Sequence, residues 1–267
     1  MRLALLGVRG STPAPGPEFV RYGGHTSCVA VLPDDSDVPR LVLDAGTGLR
    51  GLGRLLGGTP FRGSIMLTHL HWDHLQGLPF CPPIDRPDAR VDLYLPCDGD
   101  PRRLLARVMS PPHFPIDPGG LRGDWRFLRS GDGPVEGHTV EGYTVRVAEI
   151  AHKGGLTHGI RVEGDGVSVA YLPDHCPQIE SAAAEKLASG VDLLLHDGQY
   201  LSAEQATADA YGHATVGDAV AFAQRCGARR LVLTHHAPGR TDEDLDALGA
   251  TGIELARQGD VISAGTP

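Results

Sequence analysis

The feature that most constrains the fold is a series of short apolar runs rich in Val, Leu and Ile, spread along the whole chain. They cover Arg2–Val8, Cys28–Leu32, Leu41–Asp44, Ser64–Thr68, Val91–Leu95, Tyr143–Ile150, Ile160–Val162, Val167–Leu172, Val191–Leu195 and Arg230–Thr234. Each has strand length, and none approaches the roughly 20 apolar residues of a membrane helix. Helical patterns at Gly48–Leu56, Pro101–Met109, Ile179–Ala188, Val216–Cys226 and Asp242–Leu248 fall between them. Strands mixed with helices throughout one chain predict an α/β or α+β fold built in layers. The adjacent runs Tyr143–Ile150 and Thr157–Val162 read as a hairpin, so the sheets should be mixed or antiparallel in part. No linker-like stretch interrupts the pattern, and residues 1–267 read as a single domain. With 41% hydrophobic residues the chain can bury a sizeable core. The segment Phe80–Asp124, with its CPPIDRPD and SPPHFPIDPGG strings, is the least regular. It reads equally as a surface excursion or as a rim over a functional site.

Composition narrows the function. Lys and Arg number 24 against 33 Asp and Glu, for a net charge of −9. A long polyanion is repelled by that average field, while a short anion held in one local site is not. The start MRLALLG is too short an apolar stretch for a secretory signal, so a cytoplasmic protein is expected, without a membrane partner. Cys28, Cys81, Cys97, Cys176 and Cys226 are odd in number and form no C-x-x-C pair. Free thiols are expected, not a disulfide framework or a cysteine zinc knuckle.

Histidine is the unusual residue, with 13 in the chain. The run Ser64–Thr68 leads straight into His69-Leu-His71-Trp-Asp73-His74. His69 and His71 are two apart and share a face if the chain stays extended. Asp73 and His74 follow where it turns toward a helix, and can point to a second ion beside the first. Neutral imidazole and carboxylate suit zinc, manganese or iron.

This string resembles the H-x-H-x-D-H signature of the metallo-β-lactamase superfamily. RGSTPAPGPEFVRYGGHTSC, LDAGTGL, THLHWDHLQGLPF, MSPPHFPI and HHAPGRTDEDLD resemble its ribonuclease Z-like and cyclic phosphodiesterase-like members. The resemblance implies a four-layer αβ/βα sandwich with a metal site at one edge, between the two sheets. It also implies the ligands. His69, His71 and His152 would form one metal site, and Asp73, His74 and His235 the other. Asp174 would bridge two divalent ions, zinc by default, with manganese or iron as alternatives. His235 is preferred over its neighbour His236 because it directly follows Thr234. His25 stands where this branch usually has Asn, and either adds an imidazole to the pocket or has no role.

Two such ions can hold a hydroxide between them as the nucleophile and take up charge on the attacked group. Asp73 can also orient that nucleophile. Asp44 in LVLDAGTG reads as a carboxylate supporting the metal loop, or as a cap for the helix near Thr47. His213 in YGHATVGDAV resembles the motif that protonates leaving groups in the ribonuclease Z branch, with Asp197 as its acidic partner. The alternative is an N-cap role before Val216–Cys226, which Thr215 can fill alone.

An acid for the leaving group favours phosphodiesters, since an alkoxide leaves poorly without a proton. Asp174 stands only 22 positions after His152, too few for a tRNA-gripping arm. The expected substrate is therefore a small cyclic nucleotide, cyclic sugar phosphate or short nucleotide, and a homodimer is compatible with this. A ribonuclease Z-like RNA endonuclease and a non-catalytic metal-binding sensor of the same fold remain as alternatives. His113 and Arg240 are candidate rim or phosphate contacts, with surface pairing to Asp242 or Asp244 as the other role for Arg240.

Overall fold

The computed structural model describes residues 1–131, 137–179 and 181–265. Strands β1 (Arg2–Gly7), β2 (Cys28–Leu32), β3 (Leu41–Leu43), β4 (Arg62–Met66), β5 (Arg90–Leu95), β6 (Asp124–Arg129) and β13 (Val261–Ser263) form one sheet, in the order β13-β1-β2-β3-β4-β5-β6. Strands β7 (His138–Val140), β8 (Tyr143–Glu149), β9 (His158–Gly164), β10 (Val167–Leu172), β11 (Leu193–Asp197) and β12 (Leu231–Thr234) form the other, in the order β12-β11-β10-β9-β8-β7. Each sheet joins antiparallel strands to a parallel set, β3 to β6 in the first and β10 to β12 in the second. The helices are α1 (Leu52–Leu55), α2 (Trp72–Leu75), α3 (Pro101–Ala106), α4 (Ala182–Ala188), α5 (Gln205–Tyr211), α6 (Val216–Cys226) and α7 (Asp242–Gly249).

Period-two alternation builds the layers. Leu3, Leu5, Val29 and Val31 face the second sheet, where they meet Val169, Tyr171, Leu193 and Leu195. The intervening Ala4, Leu6, Cys28 and Ala30 face outward and pack with Leu49 and Leu52. On the far side Ala170, Leu172 and Leu194 pack against Leu187 of α4 and Phe222 of α6. Both faces of these strands are covered, so they read as continuous apolar runs without polar alternation. The expected four-layer αβ/βα sandwich is the observed fold.

Cys28–Leu32, Val167–Leu172 and Val216–Cys226 have the expected bounds. The helical pattern at Ile179–Ala188 begins only at Ala182, after the Ser181 cap, and Glu180 lies outside the described residues. Strands β6, β7 and β13 and helix α5 were not anticipated. Strand β6 (DWRFLR) has charged residues at three of its six positions, Asp124, Arg126 and Arg129, and no fully buried residue, so it does not form a continuous apolar run. Among the described residues no helix is long and apolar enough to cross a membrane.

This topology places the chemistry. Strands β3, β4, β10, β11 and β12 end at one edge of the sandwich, and β8 runs in the same direction as β10 because both are antiparallel to β9. The turns after these strand ends carry the polar residues.

Candidate metal centre

Beyond β4 the backbone remains extended to His71, which caps α2 with φ −67° and ψ 151°. His69 and His71 are thus presented in alternation, and the first turn of α2 brings Asp73 and His74 round behind them. His152 follows β8, Asp174 follows β10 and His235 follows β12. The structure brings all seven together in two groups: His69, His71, His152 and Asp174, then Asp73, His74, Asp174 and His235.

Asp174 spans both groups. Its Oδ2 lies 3.5 Å from Nε2 of His69 and 3.5 Å from Nε2 of His152. Its Oδ1 lies 3.1 Å from Nε2 of His74 and 3.0 Å from Nε2 of His235. Asp73 Oδ2 is 3.3 Å from His74 Nε2 and 3.2 Å from His235 Nε2. The site is buried; only His71 keeps appreciable exposure.

These spacings fit a cation. Tetrahedral ligation at ~2.1 Å places donor atoms ~3.4 Å apart, as between the two Nε2 atoms of His74 and His235 at 3.4 Å. Nε2 of His69 and Oδ1 of Asp174 are buried with no hydrogen-bond partner. The outer nitrogens are engaged: His74 Nδ1 donates to Asp44 at 2.8 Å, His152 Nδ1 to the Gly212 carbonyl at 2.7 Å, and His69 Nδ1 to the Thr68 hydroxyl at 3.1 Å. That pattern leaves Nε2 of His69, His74 and His152 as a lone pair aimed into the site.

Electrostatics agree. Burial opposes the charge of Asp174, but His235, His74 and His69 hold it well below the usual carboxylate range. Asp73 is lowered too: burial opposes its charge, and His74 and His235 outweigh that cost. Burial pushes His69 and His71 down, aided chiefly by His74 and His152 respectively, and burial pushes His152 down against the pull of Asp174. Burial also works against His74 and His235, but Asp174 and the neighbouring carboxylates outweigh it. His74 ends well above its ordinary value and His235 at about 10. Two anionic carboxylates in a buried pocket attract positive charge, and a divalent ion competes with those protons.

Asp44 does not cap the following helix, whose N-cap is Gly46. At φ +58° it turns inward and accepts from Thr68 N–H, the Thr68 hydroxyl, His74 Nδ1 and the Tyr171 hydroxyl. It supports the metal loop. Beside the clusters, His213 Nδ1 lies 2.8 Å from Asp197 Oδ2, and the two rings His213 and His235 stack at 5.2 Å. The Asp197 oxygens are fixed by the backbone N–H groups of Gln199, His175 and Ala214. Thr215 caps α6 without help from His213.

Four other candidate residues lie away from the two clusters. His236 turns away from the site; its Nε2 donates to the Ala256 carbonyl at 2.8 Å, and burial lowers it to about 4. His25 contacts Thr47 and lines none of the clefts at the site. Arg240 pairs with Glu204 at 2.6 Å, not with Asp242, Asp244 or the site. His113 lines a separate apolar groove with Phe80 and Phe114.

Sequence reasoning assigned no role to the loop Arg9-Gly10-Ser11. Ser11 N–H donates to Asp73 Oδ2 at 2.7 Å. A Cβ on Gly10 would lie 2.4 Å from His235 Nδ1, so only glycine permits this approach. Arg9 is fully buried and donates to the carbonyls of Gly23, Ala237 and Arg240, which fixes the loop after His235. An arginine followed by Gly-Ser-Thr-Pro at the end of a buried strand was the available signal. The cleft over the site, about 640 Å³, is also lined by Trp72, Lys153, Tyr200 and Tyr211.

Residues 39–236 match the family described as the beta-lactamase superfamily domain. The ribonuclease Z of Mycobacterium bovis (strain BCG) is 28% identical over 284 residues, covering 94% of this chain and 92% of that protein. The ribonuclease Z of Exiguobacterium is 44% identical over 70 residues, 26% of this chain, which spans only 22% of that protein. The crystal structure of the human short-form tRNase Z superposes with a TM-score of 0.69 at 24% identity, covering 100% of both chains.

Proposed function

The chain belongs to the beta-lactamase superfamily, and on that premise we propose that it is a metallo-hydrolase, a dinuclear phosphodiesterase acting on a small nucleotide, cyclic nucleotide or cyclic sugar phosphate. The observation that carries this reading is the pairing of two metal-capable clusters with the buried His213–Asp197 couple in the same cleft. His69, His71, His152 and Asp174 would hold one ion; Asp73, His74, His235 and Asp174 the other. A pair of divalent ions supplies Lewis acidity, lowering the pKa of water and countering charge on phosphoryl oxygens. Zinc is the first candidate for this donor set, followed by manganese and iron.

The chain's own residues do the rest. Asp197 holds the Nδ1 proton of His213, so Nε2 is the nitrogen that serves the cleft. As water adds to phosphorus and the bond to the leaving oxygen breaks, His213 Nε2 gives that oxygen a proton, and the proton released by the attacking water passes to solvent, from which His213 is reprotonated. Asp197 fixes the orientation of the imidazole, and its three backbone donors keep it in place. Ser11 N–H holds Asp73 in one orientation toward the same space.

A small substrate is supported by the connection from His152 to Asp174, which is taken up by β9, a turn at Asp165–Gly166 and β10. No arm projects there. A second reading, an RNA endonuclease, is favoured by the relative in Mycobacterium bovis that bears the name ribonuclease Z. The deciding experiment incubates metal-loaded protein with bis-p-nitrophenyl phosphate, cyclic nucleotides, cyclic sugar phosphates and a precursor tRNA in parallel, with metal content measured on the same preparation. Nearly two ions per chain and turnover of the small esters are expected. Cleavage of the tRNA alone would select the second reading, and full activity with only trace metal would remove both.

A further inference from the structure

A second cleft, of about 800 Å³, opens from the outer side of the centre. His69 and His71 form its inner end, Gly154 and Gly155 one wall, and Arg103 and Arg107 of the α3 region another. The two arginines are four apart and share one helical face. Seven arginines lie between positions 86 and 126. Five of them are paired: Arg86 with Asp88, Arg90 with Glu141, Arg102 with Asp117, Arg122 with Asp85 and Arg126 with Asp92. Among the described residues, the guanidinium groups of Arg103 and Arg107 make no ion pair or hydrogen bond, although the chain carries net charge −9. The unpaired two are those that line the cleft beside the metal-capable residues.

Two carboxylates also border this cleft. Asp100 is committed to capping α3, where its Oδ1 accepts from Arg103 N–H at 3.0 Å. Asp98 is exposed at the border and bonds to neither arginine. Guanidinium forks without an internal partner, in a concavity that shares His71 with the centre, have the donor geometry for a phosphate or carboxylate.

We propose that Arg103 and Arg107 form a subsite for a second anionic group of the substrate, a phosphate beyond the one that is hydrolysed. This rests on the phosphodiesterase reading and deepens it: the preferred substrate is a phosphodiester carrying an additional phosphate, such as a short or terminally phosphorylated nucleotide. The residues are specificity-determining and take no part in bond breaking.

The test compares a nucleoside 2′,3′-cyclic phosphate with and without a 5′-phosphate, using wild type and R103Q/R107Q. Both side chains are exposed, so the double variant should melt like wild type. Wild type should favour the 5′-phosphorylated ester through KM by about tenfold or more, the scale of one or two charge-assisted hydrogen bonds. R103Q/R107Q should lose that preference and keep wild-type turnover of the ester without it. Added salt should erode the preference in wild type, since the guanidinium groups are exposed. Calorimetric binding of a nucleoside 3′,5′-bisphosphate against its 3′-monophosphate separates this inference from the activity reading. If neither ester is turned over but the bisphosphate binds wild type more tightly than R103Q/R107Q, the subsite stands and the phosphodiesterase reading falls. If esters are hydrolysed with equal preference by both proteins, or the bisphosphate has no advantage on wild type, the subsite is wrong.

Discussion

Replacing Asp44 by Asn keeps the shape of a buried side chain while changing what it can accept. Oδ1 takes the Thr68 N–H at 2.7 Å, and Oδ2 takes His74 Nδ1 at 2.8 Å and the Tyr171 hydroxyl at 3.0 Å. In D44N the amide oxygen stays with Thr68, whose backbone N–H cannot reverse. The NH2 then faces His74 Nδ1. Two donors cannot meet, so the imidazole must place its proton on Nε2 and accept through Nδ1. The Tyr171 hydroxyl simply rotates. The fold loses one charge-assisted bond, worth about 1.5–3 kcal/mol, and recovers part of it through the new amide–imidazole contact. The site loses more specifically, because a protonated Nε2 cannot ligate. Removing the partner of a ligating histidine typically costs ~10–100-fold in metal affinity, or ~1.4–2.7 kcal/mol. The loss should fall on the cluster of Asp73, His74, Asp174 and His235 and spare that of His69, His71 and His152. Dialysis against graded chelator, with metal per chain read by elemental analysis, should show one ion leaving early and the other at the wild-type midpoint. A D44N protein that melts within a few degrees of wild type and holds both ions at the wild-type midpoints would refute the tautomer argument.

His213→Ala should retain metal and lose turnover by about a hundred- to ten-thousand-fold for an alkoxide leaving group, but little for p-nitrophenolate, which departs without a proton. Asp197→Asn should show a weaker version of that split; equal loss on both substrates would mean that His213 binds phosphate instead of protonating. Metal-stripped protein should be most stable near pH 6.5. Above it, His74 and His235 keep protons that the unfolded chain sheds, so stability falls as pH rises toward about 10. Below it, His69, His71 and His152 stay neutral while the unfolded chain takes up protons, so stability falls again. Urea unfolding of chelated samples across this range checks the sign, and stability rising steadily through pH 9 would contradict it. Thiol reagent should titrate five cysteines after denaturation without reductant. In native protein Cys28, Cys81, Cys176 and Cys226 should react slowly, since all are buried and burial raises Cys81 to about 12 and Cys226 to about 11. Rapid native labelling of more than one thiol would count against the packing described.

Residue order alone carried the strands that are buried on both faces, because such strands must be continuous apolar runs. It also carried the cluster His69, His71, Asp73 and His74, because strand alternation followed by a helical turn is local geometry. It could not show β6 or β7, where charged or polar residues break the apolar run and strand structure comes with pairing to β5 and β8. The preference for His235 over His236 rests on the resemblance, and residue order gives no physical reason for it. That reason comes from the chain's other end: His236 N–H donates to the Val8 carbonyl, its own carbonyl accepts from Gly10 N–H, and His235 adopts φ +59°. Anchoring His236 to the β1 exit swings His235 into the site and sends the His236 ring toward Ala256. The same holds for Arg9, Ser11 and Tyr171, whose partners Ala237, Asp73 and Asp44 lie between 62 and 228 positions away. A sequence displays periodicities of two and 3.6 residues because the backbone imposes them locally. Which polar atom meets which across the edge of the sandwich depends on how two sheets pack, and no local pattern encodes that.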